Sequence, residues 1–466
     1  MKFINWKILL FVILTIAAFL RFFKTETVPP SLYWDEVSQG YNAYSILETG
    51  RDEHKEIFPL ARFKAFGDYK APVYIYLDVP FIALFGKTPL AVRFPSAILG
   101  TLTVVAVFGL VRELFYVNKN KELLAFLSAA VLAISPWHIQ LSRVAYEGNV
   151  ATFFTVAASF FFIFSIRRNK WWIVVSAILF VIAFYSFNAH RVFIPLLVLL
   201  LGSVYSKILW KNKKQVLVSG LIGIIMLLPY LSFFRSPESR LRFNEVNIFT
   251  DVEVVKKSNE WIEYNHNSLQ SKIFNNRRVE YAKSYIKHYF DFFNFNYLFV
   301  SGDENPRFSS NDVGQLYIWQ LIFIIIGIYA LTRENRRVAI LIFGWFLLAP
   351  IAAATARETP HALRSETFIP IYEILTALGI VFCIVCLSKY DFFKKIFIIG
   401  LSCVVSFYFY MFIHNYFVHF PSEYSGTFQY GYAQVVAKAE RLRDDYDYIV
   451  MTKSYGRPYI YTLFFS

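Results

Sequence analysis

Residues 71–85 read Ala71-Pro-Val-Tyr-Ile-Tyr-Leu-Asp78-Val-Pro80-Phe-Ile-Ala-Leu-Phe85, an apolar run that is either a bilayer crossing or a helix lying on the bilayer surface. The choice governs the rest of the chain, because one extra crossing moves every later loop to the opposite side. If the run stays on the surface, five basic clusters share the side of Lys2 and Lys7: Arg112/Lys119/Lys121, Arg167/Arg168/Lys170, Lys207/Lys211/Lys213/Lys214, Arg333/Arg336/Arg337 and Lys389/Lys394/Lys395. Short basic gaps between spans face the cytoplasm, so this is the consistent arrangement. Asp78 and Pro80 also suit an interfacial helix better than a lipid-facing one.

Apolar runs of crossing character recur at 8–23, 90–111, 123–137, 149–166, 171–187, 191–206, 214–234, 316–332, 337–356, 366–388 and 394–414. The expected fold class is therefore an all-α polytopic membrane protein of about 11 transmembrane helices, with interfacial helices in the first outer loop. A composition 56% hydrophobic and 17% charged fits lipid as solvent and excludes an ordinary soluble domain. The formal charge of +14 sits mainly in the gaps between spans, which argues against nucleic acid as a partner. The first run carries no small-residue cleavage site after it and reads as a retained span with a cytoplasmic amino terminus. Cys383, Cys386 and Cys403 lie within apolar stretches, and the Cys-x-x-Cys pair lacks further ligands, so packing is their expected role.

Three segments remain outside: 24–89, 235–315 and 415–466. The expected division is a transmembrane catalytic domain over 1–414 and a small outward-facing segment over 415–466, where Tyr446 to Met451 looks like a strand. In the first outer loop, Ser31-Leu-Tyr-Trp34-Asp35-Glu36-Val-Ser-Gln-Gly-Tyr41 has apolar residues Val37, Tyr41, Tyr44 and Leu47 at helical spacing and a stop at Gly50. Asp35 at the start of that helix can cap free amides, or Asp35 and Glu36 beside Trp34 can serve as a general base or ion ligand. Further on, Gly67-Asp-Tyr-Lys70-Ala-Pro-Val-Tyr74 and Arg93-Phe-Pro-Ser96 bring a lysine and an arginine to the same boundary. Together they can hold a phosphate, the ammonium as a compact charge and the guanidinium as a planar fork; separately they can snorkel or anchor the interface.

The sequence of an Asp-Glu pair after the first span, Lys-x-Pro-x-Tyr, a Leu-Phe-Gly end to the amphipathic segment, and Arg-x-Pro-Ser with a glycine four residues on resembles the C-type (GT-C) polyprenyl-phosphate-sugar-dependent glycosyltransferases. The branch most resembled is that of protein O-mannosyltransferases and the lipid A aminoarabinose transferase. The resemblance implies Asp35 as catalytic base, with Glu36 beside it, and Lys70 on the donor phosphate. It implies a GT-C-like bundle in which residues 71–85 lie on the surface. Pro360-His361-Ala-Leu-Arg364 before Pro370 resembles the family's His/Arg-rich start of a late span and is expected, with Arg93, to meet the same phosphate.

Other polar residues expected around a substrate pocket are Trp34, Tyr74, Arg143, His190, Asp303 and Arg307. Arg143 and His190 have the alternative of interfacial anchoring, and the 235–315 loop that of an interfacial helix with an Asx turn. The expected activity is inverting transfer of a sugar, mannose-like, from a polyprenyl-phosphate donor to an acceptor hydroxyl on a protein, lipid or glycan at the outer membrane face. No cofactor is required by these residues; a divalent cation held by Asp35, Glu36 and a histidine is the candidate metal. Two rivals are a transporter or flippase of a lipid-linked saccharide, for which mid-bilayer charges and repeat symmetry are expected, and a ligase- or polymerase-like transferase without the Asp-Glu loop.

Overall fold

A computed structural model describes residues 5–236, 239 and 247–466. Lys2 and residues 237–238 and 240–246 of the second outer segment lie outside them. Each of the eleven apolar runs carries a helix. The first is α1 (Trp6–Phe22), followed by α2 (Trp34–Thr49), a hairpin of β1 (Phe63–Ala65) and β2 (Asp68–Lys70), and α3 (Pro72–Phe85). Then come α4 (Pro89–Leu114), α5 (Lys121–Ala133), α6 (Pro136–Ser142), α7 (Glu147–Arg167), α8 (Trp172–Ser186), α9 (His190–Val204), α10 (Ser206–Lys211) and α11 (Lys213–Arg235). Late apolar helices are Gln320–Leu331, Arg336–Ala353, Ile371–Cys386 and Asp391–His414. Among the described residues six helices are long and apolar enough to cross alone, and α5 with α6, bent by 59°, makes a seventh. Helices α1, with 17 residues, α8, α9 and Gln320–Leu331 are shorter, so the figure of eleven rests on the apolar runs and the charge pattern and not on helix length.

Helix α3 has 14 residues and is about 21 Å long at 1.5 Å per residue, short of the roughly 30 Å hydrocarbon core. It packs on α2 and α4, and its Asp78 is fully buried. Helix α4 lies against α1, α5 and α7 in the interior of the bundle. Gln320–Leu331 and Ile371–Cys386 meet backbone to backbone. A Cβ on Gly327 would fall 1.9 Å from the Leu375 carbonyl oxygen, and one on Gly379 2.0 Å from that of Phe323, so only glycine permits this approach.

Three buried arginines fix the connection from α1 to α2. Arg143 donates from Nη1 to Leu20 O (2.5 Å) and from Nη2 to Phe23 O (2.7 Å) and Val28 O (2.8 Å). Arg93 donates to Thr25 O and Pro29 O, both at 2.8 Å, and to Ser31 O at 2.5 Å. Arg21 reaches Ala133 O at 3.3 Å and His138 Nδ1 at 2.6 Å. A buried guanidinium is tolerable only when its donors are used, and here they hold the strand of chain that presents Asp35. Segment 415–466 folds back on this loop, with helix Pro458–Phe465 against α2. Tyr446 to Met451 is not a strand: among the described residues no segment pairs with it, and Tyr448 and Val450 are exposed.

Candidate active site

Helix α2 begins after Tyr33 and ends at Gly50, whose φ of +67° is the left-handed stop that glycine supplies cheaply. The cap at its start belongs to Glu36, not Asp35. Glu36 Oε2 accepts the Tyr33 amide at 3.2 Å, and Asp35, in the first turn, makes no cap bond. The Asp35 carboxylate instead meets Lys70, whose ammonium lies 3.0 Å from Oδ1 and donates to the Asp35 carbonyl at 2.9 Å. The lysine side chain is 10% exposed and the aspartate 37%, so the carboxylate keeps an open side toward solvent.

Lys70 is delivered by a hairpin that the periodicity did not announce. β1 and β2 pair antiparallel, Phe63 opposite Lys70, around Phe66-Gly67, which have φ of +60° and +83°. Positive φ at both central positions makes the tight turn whose twist suits a hairpin. Lys70 ends β2, and Pro72 opens α3 directly after it.

Glu36 and Arg93 were expected to act on substrate, and their geometry assigns them elsewhere. Arg93 Nε lies 2.8 Å from Glu36 Oε1 and Nη2 3.0 Å from Oε2, with both side chains fully buried. With the three carbonyl bonds already described, the guanidinium has no donor left for a phosphate. Glu36 also accepts the Ala145 amide at 3.1 Å, so both its oxygens are engaged and it is no proton acceptor.

Trp34, next to Asp35 in the chain, meets Arg307. The Arg307 guanidinium stands 5.5 Å from the Tyr33 ring and 5.6 Å from that of Trp34. Its carbonyl accepts the Tyr146 hydroxyl at 2.9 Å. A second cluster adjoins through Phe308, which packs 4.4 Å from the His361 ring. There Asp303 Oδ2 accepts the Ala362 amide at 2.7 Å and lies 4.0 Å from His361 Nδ1. Burial raises the Asp303 carboxyl to about 6, opposed by the amides of Ala362 and Asn305 and by nearby Arg364. Arg364 donates to Glu358 O at 3.2 Å.

Tyr74, Arg143 and His190 belong to the framework. The Tyr74 hydroxyl donates to Val92 O at 2.8 Å, Arg143 holds the end of α1, and His190 packs against Phe187 and Phe193.

Two further residues reach the site: Glu147, which ends the outward-facing stretch 142–147 that the sequence places on the side of Asp35, and Arg457, which the sequence does not single out. Glu147, at the start of α7, lies within electrostatic reach of both Asp35 and Lys70. Arg457, from segment 415–466, stacks 4.4 Å from the Phe66 ring and donates to the Phe66 carbonyl at 3.3 Å. An apolar groove of about 400 Å³ between α7, α8, α9 and α11 is lined by residues including Phe180, Phe184, Val198 and Ile224. A ladder of rings joins it to β2: Phe184 to Tyr230 (5.1 Å), Tyr230 to Phe233 (5.7 Å) and Phe233 to Tyr69 (5.6 Å).

The divalent cation does not fit these residues. Both oxygens of Glu36 are taken, Asp35 is paired with Lys70, and among the described residues no three His, Cys, Asp or Glu converge.

Residues 69–233 match the sequence model of the family described as Dolichyl-phosphate-mannose-protein mannosyltransferase. No curated protein matches the chain. Similar solved structures include the oligosaccharyltransferase AglB from Archaeoglobus fulgidus in complex with an inhibitory peptide and a dolichol-phosphate. It is 13% identical with a TM-score of 0.54, the match covering 96% of this chain and 60% of that one. Another is ArnT from Cupriavidus metallidurans in the apo state, 12% identical with a TM-score of 0.54, covering 98% and 74%. ArnT bound to undecaprenyl phosphate gives a TM-score of 0.52 at 12% identity and the same coverage. The chain thus spans less than two thirds of the length of AglB. At these identities the likeness is one of fold: the chain shares the all-α, multi-span architecture of AglB and ArnT.

Proposed function

We propose that this chain, which carries the C-type glycosyltransferase fold, is an inverting glycosyltransferase. It moves a sugar, mannose-like, from a polyprenyl-phosphate donor to an acceptor hydroxyl at the outer membrane face. The observation that carries the reading is the Asp35–Lys70 pair at 3.0 Å, placed by a helix start and a hairpin end on one half-open side chain. A base and a phosphate-binding cation side by side are what such a transfer needs. The family match begins at Tyr69, beside Lys70, and the ArnT structure with undecaprenyl phosphate is of the same fold. The groove, linked to Tyr69 by that ladder of rings, offers the prenyl chain an apolar face on the side of Lys70.

In this mechanism the acceptor oxygen attacks the anomeric carbon from the face opposite the phosphate. The new C–O bond forms as the bond to the phosphate oxygen breaks, and configuration inverts. Asp35 takes the hydroxyl proton as oxocarbenium-like charge develops. Lys70 transfers its contact from Asp35 to the departing phosphate, and because that group leaves as a stable anion no general acid is needed. Glu36 and Arg93 hold the first turn of α2 in place, and Asp303, His361 and Arg364 form the wall on the far side of Phe308. Residues 1–414 form the catalytic unit, with 415–466 closing over its first loop. The topology that follows has the amino terminus and the basic clusters in the cytoplasm and Asp35 outside.

The test is incubation of the purified protein with radiolabelled polyprenyl-phosphate mannose and related donors, and with peptide, lipid and glycan acceptors. Label appearing on an acceptor with inverted linkage is the expected result. Movement of the intact donor across proteoliposomes, with no transfer to any acceptor, would establish the flippase instead.

A further inference from the structure

Three cations and two aromatic rings interleave beside Asp35. Lys70 Nζ and the Arg457 guanidinium lie 5.2 and 4.4 Å from the centre of the Phe66 ring. Arg307 and Arg457 lie 5.6 and 6.0 Å from that of Trp34. Lys70 has its counter-ion in Asp35. Among the described residues Arg307 and Arg457 have none: Arg307 donates to the Asn305 side-chain oxygen at 3.4 Å, and Arg457 to the Phe66 carbonyl.

Arg457 is positioned by the fold. Gln429 Oε1 accepts the Trp34 amide at 3.1 Å and lies 2.8 Å from the Tyr461 hydroxyl, which is itself 3.1 Å from Leu32 O. Tyr432 stacks on Tyr461 at 4.3 Å, and a Cβ on Gly456 would meet Trp34 Cε3 at 3.5 Å, so the chain before Arg457 rests on the indole. Phe66 is held at φ +60°, unfavourable for an aromatic residue and the kind of strain that persists where surroundings impose it.

We propose that Arg457, with Arg307, receives a second anionic group of the substrates, a phosphate distinct from the one that meets Lys70. This rests on the reading of Lys70 given above. A sugar joined to a single lipid phosphate engages Lys70 through that one group and supplies no direct ion-pair partner for Arg307 or Arg457 on either side of Trp34. Guanidinium forks match phosphate oxygens in pairs. The second phosphate comes either from a diphosphate-linked donor or from a phosphorylated acceptor.

The full-length protein in nanodiscs distinguishes these sources through three probes: undecaprenyl phosphate, undecaprenyl diphosphate, and inorganic phosphate added to protein preloaded with undecaprenyl phosphate. Arg457→Gln keeps a donor for the Phe66 carbonyl and removes the charge. If the second phosphate is the donor's, the wild type prefers the diphosphate lipid and the variant loses about ten- to a hundred-fold of affinity for that lipid alone. If it is the acceptor's, the preloaded wild type binds inorganic phosphate and the variant binds it more weakly by a similar factor. Wild-type binding of all three probes by a folded Arg457→Gln protein overturns the proposal. Should that variant fail to fold, Arg457→Lys takes its place, and undiminished binding by the lysine protein overturns the proposal equally. If Lys70→Ala leaves undecaprenyl phosphate binding unchanged while the Arg457 effect stands, the fault lies in the phosphate assignment of Lys70.

Discussion

Glu36 and Arg93 form a fully buried bidentate pair, and removing one partner leaves the other charge stranded in a low-dielectric interior. Glu36→Gln should therefore destabilise the fold by roughly 3–5 kcal/mol, read as a lowered melting midpoint in detergent. Per folded molecule it should turn over nearly as fast as wild type; selective loss of turnover at unchanged stability would return Glu36 to the chemistry. Lys70→Ala should act oppositely, with stability little changed and donor affinity reduced by about 1.5–3 kcal/mol, or about ten- to a hundred-fold, in a lipid-binding titration. Unchanged affinity would remove Lys70 from the phosphate site. The sequence brought both acids and both bases of this region into view, because each stands beside a helix start or end. It could not say which acid pairs with which base: that depends on Arg93 turning inward to carbonyls 62 to 68 positions earlier in the chain.

Among the elements, the loop at Asp303 gives a pH-dependent signature. Its carboxyl is raised by burial to about 6 from an ordinary value near 3.8, so the native state holds the proton more tightly than the unfolded chain. The contribution is fully present below about pH 4 and is lost as pH rises through 6, a cost on the order of 3 kcal/mol at neutrality. Asp303→Asn should flatten the fall in melting midpoint between pH 4 and 6.5; an unaltered slope would show that another group is responsible. Element by element, the long helices follow from apolar runs, and α2 from its spacing and Gly50. The β1–β2 hairpin was missed because three-residue strands carry no periodicity and Phe66 is an unusual residue for a left-handed turn position. The expected strand at Tyr446 to Met451 had the right composition and no partner to pair with.

Over the whole molecule, the charge pattern chose a topology and the short α3 accords with it. With an impermeant reagent on intact cells, in a background lacking Cys383, Cys386 and Cys403, a single cysteine at Glu304 should label and one at Lys213 should not. The reverse pattern would invert the account. Contacts between segment 415–466 and the first loop, such as Gln429 with Trp34 across 395 positions, leave no local trace, which is why Arg457 was invisible in the sequence. The central claim is that Asp35 accepts the proton. Because Glu36 provides the cap and Asp35 does not, Asp35→Asn tests the chemistry with little disturbance of the helix. The measurement is single-turnover sugar transfer by the folded, donor-saturated Asn variant. The account predicts a rate lower by about two to four orders of magnitude with donor still bound, whereas a rate within about threefold of wild type would contradict it.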